Sequence, residues 1–364
     1  MNRFFSFSRT RHTNRQQHRV RKQCFCYALP FNFDRATAIS AAGISLNTRG
    51  AYLNKYMKGK LVTLTFAKRC KNILAANCQA HLNTIKVDAM GSKGDIHTSK
   101  VHYLFNKGKP YIWVREGDLH NMNVIIDERG SLSVSAVAPN SLLRLLRSMG
   151  KFPARVALAG DVIPLKDSKV QDLTEWLREH LLKEQNYANH SSYAVSAILS
   201  SANLGCKSRS EIFQEIVDQS SNYVAHKFNI RSCTYVDGSA HTHELEMEDV
   251  EAPKAGHLFP FAEKLIDGVN QSQARRRALI LFCLEYYDTH ARDAVMLSID
   301  HCGFDVLAKV PESMASIGES SRYTWKEFRF TFKEEATDVE AFCRLLVGLE
   351  EEVLQSVRSY SGLA

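Results

Sequence analysis

From residue 101 onward the apolar positions of this chain recur in short bursts. KVHYLF and PYIWV alternate apolar and polar residues around Asn106-Lys-Gly-Lys109, a turn containing Gly108, and so predict a hairpin. MNVIID and SLSVSAV, on either side of Glu128-Arg-Gly130, predict a second one. The period then lengthens. In NSLLRLLRSMG, Leu142, Leu143, Leu145, Leu146 and Met149 form an apolar stripe, and Gly150 is placed to end the helix. ARVALAGDVIPL returns to strand character, and KVQDLTEWLREHLLKE carries Val170, Leu173, Trp176, Leu177 and Leu181 on one helical side. YAVSAILSS has strand character. EIFQEIVDQSSNYVAHKF has helical spacing from Ile212 to Phe228, and CTYVDGSAHTHELEM would close the unit as a strand.

Beyond Pro253 and Gly256 a second style begins. LFPFAEKLIDGVN and ARRRALILFCLEYYD predict two helices. AVMLSID and FDVLAKV predict strands joined at His301-Cys-Gly303, and WKEFRFTF a third with Phe328, Phe330 and Phe332 on one face. TDVEAFCRLLVGLEEEVLQSV closes with a helix. The expected architecture is α+β: a barrel of short antiparallel strands over residues 98–255, then a small α-α-β-β-β-α domain over 256–364.

Charge adds a third segment. Residues 1 to 87 hold 16 Lys/Arg against the single acid Asp34, a net +15, whereas the other 31 Lys/Arg and 38 Asp/Glu leave −7. The first residues are rich in Arg, Ser, Thr and Asn and lack an apolar run long enough for a secretory signal. This composition reads as a transit peptide for the chloroplast, with the mitochondrion as alternative, and residues 1–97 are expected to be targeting and disordered basic sequence. A nucleic-acid-binding arm is the other use of the same cations, although aromatic residues are not interleaved with them as in single-strand binders. No stretch reaches the roughly 18 to 20 apolar residues of a membrane span.

The nine cysteines include no CxxC pair. Cys24, Cys26, Cys70 and Cys78 fall in the expected presequence and the other five are far apart, so reduced structural thiols are expected. Candidate chemistry centres on SAHTHELEMEDVEAPKAGH, which packs three histidines and five carboxylates into residues 239–257. Read as a strand, it places His241, His243, Leu245 and Met247 on one face, with Glu244, Glu246 and Glu248 on the other as a solvated surface. His241 and His243 stand close enough to share a metal or flank a haem edge; hydrogen-bonded structural imidazoles are the plainer reading. Trp113, Tyr111 and Tyr235 could stack on a planar ligand or sit in the core. Arg275-Arg-Arg277 could meet an acidic partner or be an exposed charge run, and Asp300-His301-Cys302 reads as a hairpin turn. P-loop, Rossmann, GxSxG and HExxH patterns do not occur.

The order of NMNVIIDERGSLSV, PARVALAGDVIPL before an amphipathic helix, ELEMEDVEAP and SIDHCGFDV resembles the two-domain form of the FMN-binding split-barrel superfamily, over roughly residues 101–357. Haem-utilisation proteins and the plastid glutamyl-tRNA reductase-binding protein share that form. The resemblance implies a homodimer with a ligand cleft, taking haem or FMN as its cofactor. The candidate cofactor-binding residues are His241, His243, Arg155, Trp113 and His120; no metal site and no catalytic residue are expected.

Departures from the family pattern shape the expectation. The stretch GDLHNMNVIID offers His120, Asn121 and Asn123 but no cation for a flavin phosphate, and Arg155 is the one Arg on the following core strand. The Asn-x-Asp-His box of relatives reads Asn270-Gln-Ser-Gln273 here, and no histidine follows His301. The expectation is therefore a non-catalytic plastid protein that binds a tetrapyrrole or a protein partner in tetrapyrrole metabolism. An FMN-dependent oxidoreductase resembling pyridoxamine-phosphate oxidase is the alternative, with Arg115, Arg155 or a lysine holding the phosphate.

Overall fold

The computed structural model describes residues 64–88, 91–106, 108–189, 192–202, 209–250, 257–312 and 322–361. The segment 1–63, which holds most of the expected transit peptide, and Cys206 lie outside these residues.

The elements run α1 (Phe66–Ala76), β1 (Gln79–Asp88), β2 (Gly91–Asn106), β3 (Lys109–Arg115), α2 (His120–Ile126), β4 (Arg129–Ser135), α3 (Asn140–Ser148), β5 (Arg155–Pro164), α4 (Asp167–Asn189), α5 (Tyr193–Leu199), α6 (Arg209–Asp218), β6 (Tyr223–Val236), β7 (Thr242–Leu245) and the short α7 (Met247–Val250). The second part comprises α8 (Ala262–Gln271), α9 (Gln273–Tyr287), β8 (Asp293–Asp300), β9 (Gly303–Pro311), β10 (Tyr323–Thr331) and α10 (Val339–Ser361).

The larger sheet is antiparallel, in the order β3-β2-β1-β4-β5-β6-β7, and β3 also pairs with β6. That last pairing closes six strands into a barrel and leaves no free edge within the ring. β6 makes the split: Tyr223–Lys227 pair with β3 on one side, Cys233–Val236 pair with β7, and nearly its whole length pairs with β5. Alternation fills the interior. Leu82, Val101, Tyr103, Ile112, Val114, Leu132, Leu158 and Phe228 meet in one buried cluster. The outward residues Leu104, Trp113 and Ala225 are covered by Leu173, Leu177 and Leu181 of α4 and Phe213 and Ile216 of α6. The Gly108 turn is as expected, with φ +77° accommodated by glycine.

Several segments differ from the sequence reading. Residues 66–97, expected to be unfolded, supply α1, β1 and much of β2. α1 is amphipathic beneath its cations, burying Cys70, Ile73 and Leu74 in the barrel core while Lys68 stays exposed. The Tyr103 hydroxyl donates to the Leu74 carbonyl at 2.9 Å. Cys70 and Cys78 thus belong to the fold, and the Cys70 sulfur lies 3.4 Å from that of Cys233.

Residues 120–126 form a helix, not a strand, because the buried positions His120, Asn123 and Val124 follow helical spacing and the Asp118 carboxylate accepts from the His120 amide. Residues 193–199 are likewise helical, burying Val195 and Ile198. The helix at 209 ends at Asp218, and Tyr223–Phe228 open β6. The closing strand is a hairpin, β6 to β7, which leaves His241 in the turn.

The second core gathers around the sheet β10-β9-β8, with Phe282, Cys283, Phe304, Phe330, Phe342 and Cys343 buried together. All six expected elements of this part are present. α3 and α5 also bury Leu142, Leu146, Val195 and Ile198 in this core, although they precede residue 256. The approach of α5 to α8 requires a glycine: a Cβ on Gly268 would meet the Ile198 carbonyl oxygen at 2.3 Å. At the hairpin following β8, Asp300 and Asp305 share the buried Arg329, whose nitrogens lie 2.6 Å and 3.4 Å from their oxygens. Arg275 and Arg276 are engaged with Glu350 at 2.9 Å and Asp293 at 2.6 Å. Among the described residues no helix is long and apolar enough to cross a membrane.

Candidate functional site

The strand register builds a cleft on the outside of the barrel. Gln79 of β1 lies opposite His102 of β2, His102 opposite Trp113 of β3, and Arg115 opposite Tyr223 of β6. Because alternate residues share a face, these side chains point away from the core cluster and stand side by side across four strands. α6 supplies one wall through Arg209, Ile212 and Glu215; Pro260, Glu263 and Lys264, leading into and along α8, supply the other. The enclosed volume is about 470 Å³, and a second space of about 310 Å³ continues past Gln79, His102, Arg115 and Tyr223 to Lys100 and Trp113. Both volumes lie in the range of small-ligand sites.

Positive charge prevails in the cleft. Arg115, Arg209, Lys264 and Lys100 face Glu215 and Glu263. Arg209 is committed, donating to the Ala75 carbonyl at 3.0 Å and lying 3.7 Å from Glu184. Arg115 and Lys264 make no side-chain hydrogen bond or ion pair among the described residues, so both remain available to an anion. Burial, and then the nearby Arg115 charge, push the His102 imidazole below its usual pKa, and its Nδ1 is buried without a hydrogen-bond partner. His102 and Tyr223 give the cleft flat surfaces; Trp113, bordering the adjoining space, is largely buried and packs edge to face on Phe213, ring centroids 5.4 Å apart.

The five residues singled out from sequence fall in three places. Trp113 lies at the cleft. His120 is inside the barrel, fully buried, with Nδ1 2.8 Å from the Thr84 hydroxyl oxygen, and burial pushes it down to about 4. Arg155, His241 and His243 sit near the β6–β7 hairpin, where Arg155 pairs in register with Val236 and Val236 with Thr242. There Asp237 draws both imidazoles, its Oδ2 lying 3.3 Å from His241 and 3.7 Å from His243. The His243 ring stacks on Phe66 of α1 at 3.9 Å, whereas His241 is largely exposed. The alternation expected of this stretch holds over residues 242–248, with the glutamates exposed and His243, Leu245 and Met247 partly buried.

Sequence reasoning missed Gln79, Lys100, His102, Arg209 and Lys264. The one local signal was Lys100-x-His102, two polar residues at strand spacing beside Val101. His97, Ser99 and Asp118, near the expected His120, were also missed: the Asp118 carboxylate accepts from Ser99 at 2.9 Å and lies 3.0 Å from His97 Nε2.

No protein-family model matches the chain, and no curated protein sequence matches it. Among solved structures it is similar to a heme binding protein from Mycobacterium smegmatis, at 18% identity and a TM-score of 0.48, over 81% of this chain and 99% of that one. It is also similar to a protein of the pyridoxinephosphate oxidase family from Clostridium acetobutylicum, at 12% identity and a TM-score of 0.30, over 51% and 96%. HutZ, a heme storage protein from Vibrio cholerae, gives 11% identity and a TM-score of 0.29, over 48% and 95%.

Proposed function

We propose that this chain is a non-catalytic split-barrel protein of plastid tetrapyrrole metabolism, and that the cleft beside Arg115 takes a tetrapyrrole such as haem. The observation that carries the reading is the Arg115 guanidinium, uncommitted among the described residues, beside Tyr223 in a ring-lined cleft of about 470 Å³. A tetrapyrrole combines a flat apolar body with carboxylates. The body suits His102 and Tyr223; the carboxylates suit Arg115 and Lys264 through charge-assisted hydrogen bonds. Such a bond contributes about 1.5–3 kcal/mol, which sets the expected loss in an Arg115→Ala variant at roughly tenfold to a hundredfold in affinity.

Haem added to the purified full chain should produce a saturable Soret shift that weakens in Arg115→Ala and in Lys264→Ala. Unchanged binding in both variants would refute the cleft. Steady loss of the bound haem spectrum under reductant and oxygen would refute the non-catalytic part. Flavin mononucleotide is the second reading, favoured by the same Arg115, since a phosphate needs such a donor; a yellow protein releasing flavin on denaturation would install it instead.

Three further elements complete the proposal. The finer kinship is to the plastid glutamyl-tRNA reductase-binding protein, with a protein of the same metabolism as the other candidate ligand. The cationic first segment directs import into the chloroplast, and N-terminal sequencing of the organellar protein tests this by locating cleavage before α1. The chain is a homodimer. Leu119, just before α2, and Met122, Ile125 and Ile126 on its outer side are each more than half exposed, and a second copy would bury that apolar face. Light scattering of Met122→Glu against wild type tests the dimer.

A further inference from the structure

We propose that His97, Asp118 and His120 form a binding site for a divalent first-row transition ion such as Zn²⁺, inside the end of the barrel covered by α2. The inference is independent of the cleft. One ligand atom from each of the three residues lies within 4.8 Å of the others, and among the described residues no other group of three such side chains meets that condition.

The three come from two pieces of chain that the fold brings together. His97 points inward from β2, opposite Thr84 of β1, and Asp118 and His120 lie at the turn into α2. Asp118 is fixed on both oxygens: Oδ2 accepts from the Ser99 hydroxyl at 2.9 Å, and Oδ1 accepts from the His120 amide at 3.0 Å. His120 is fixed by its Nδ1, 2.8 Å from Thr84 Oγ1, and that oxygen also accepts from Asn123 at 2.9 Å. Thr84 and Asn123 therefore occupy the position of the outer partners that orient a metal-bound imidazole.

The second ring nitrogen decides the argument. His120 is fully buried, and its Nε2 has no hydrogen-bond partner among the described residues. A buried polar atom without a partner is uncommon and calls for an explanation. With Nδ1–H donated to Thr84, Nε2 keeps a lone pair, which an ion held together with His97 and Asp118 would satisfy. Tetrahedral Zn²⁺ with bonds of about 2.0–2.2 Å needs its ligand atoms roughly 3.3 Å apart. His97 Nε2 and Asp118 Oδ1 are 3.0 Å apart, and both side chains are 21% exposed, so a small outward movement of His97 opens the space. Two imidazoles and one carboxylate suit Zn²⁺, Fe²⁺ or Co²⁺, whereas Mg²⁺ and Ca²⁺ call for an all-oxygen shell. Three protein ligands leave one position for water or a substrate atom.

The test uses the full chain freed of metal with a chelator, with Co²⁺ as optical probe and Zn²⁺ by titration calorimetry. Expected are one high-affinity Co²⁺ per chain with visible ligand-field bands, displacement by Zn²⁺, and at least a tenfold loss of affinity in His97→Ala and in Asp118→Asn. These positions are preferred to His120 because both are partly exposed, and circular dichroism verifies that the variants fold. The His241→Ala/His243→Ala double variant should bind as wild type does. Absence of saturable Co²⁺ and Zn²⁺ binding would overturn the proposal. So would wild-type affinity in both site variants, or loss of binding in the double variant.

Discussion

Leu74→Ala tests whether the cationic segment before residue 98 belongs to the folded protein. Leu74 is 1% exposed in α1, lies in the same buried cluster as the barrel strands, and its carbonyl accepts the Tyr103 hydroxyl. The substitution removes three carbons from a closed core. At about 0.8 kcal/mol per buried methylene the transfer loss is roughly 2.4 kcal/mol, and the cavity left between α1 and the strands raises the total to about 3–4 kcal/mol. In a fold of this size that lowers Tm by roughly 5–6 °C. Urea unfolding of the full chain, followed by tryptophan fluorescence and backed by a thermal scan, gives both quantities. Lys68→Ala on the exposed side of the same helix serves as control and should stay within about 0.5 kcal/mol of wild type. A Leu74→Ala protein as stable as wild type would show that α1 does not pack on the barrel and would return residues 66–97 to the presequence.

Two further outcomes follow from buried charge. Arg329→Met leaves Asp300 and Asp305 buried without their shared cation and should cost about 3–5 kcal/mol in urea unfolding; a loss under 1 kcal/mol would mean that the triad is hydrated. His226, buried inside the barrel on β6, is pushed down to about 4 by burial, so between about pH 6.5 and 4 the unfolded chain binds a proton that the folded chain does not. Stability should fall as pH drops through that window, by up to about 3 kcal/mol from this group, and His226→Phe should flatten the slope. An unaltered slope in the variant would assign the acid sensitivity elsewhere.

The second core was legible because its signals are local and agree with one another. Its helices carry apolar stripes at helical spacing, its strands alternate, and a Gly-containing turn separates β8 from β9. α1 was hidden by composition: in FAKRCKNILAA the cations dominate, yet Cys70, Ile73 and Leu74 form a three-residue stripe that only the barrel makes meaningful. α2 inverted the usual code. His120 and Asn123 face inward and Met122, Ile125 and Ile126 outward, so apolar pattern alone pointed to a strand. The cleft was legible only in Trp113 and Arg115. Besides Lys100 on the neighbouring strand, its other cations, Arg209 and Lys264, come from about a hundred and more positions along the chain, and the sheet register and the second core bring them alongside; no periodicity encodes that meeting.

Hydrogen–deuterium exchange of the full chain with and without saturating haem tests the central claim most directly. Ligand bound at the cleft should slow exchange in peptides spanning residues 100–115, 209–223 and 258–265, while the turn at 237–243 exchanges as before. Protection confined to 237–243, with the cleft peptides unchanged, would contradict the account and move the site to His241 and His243.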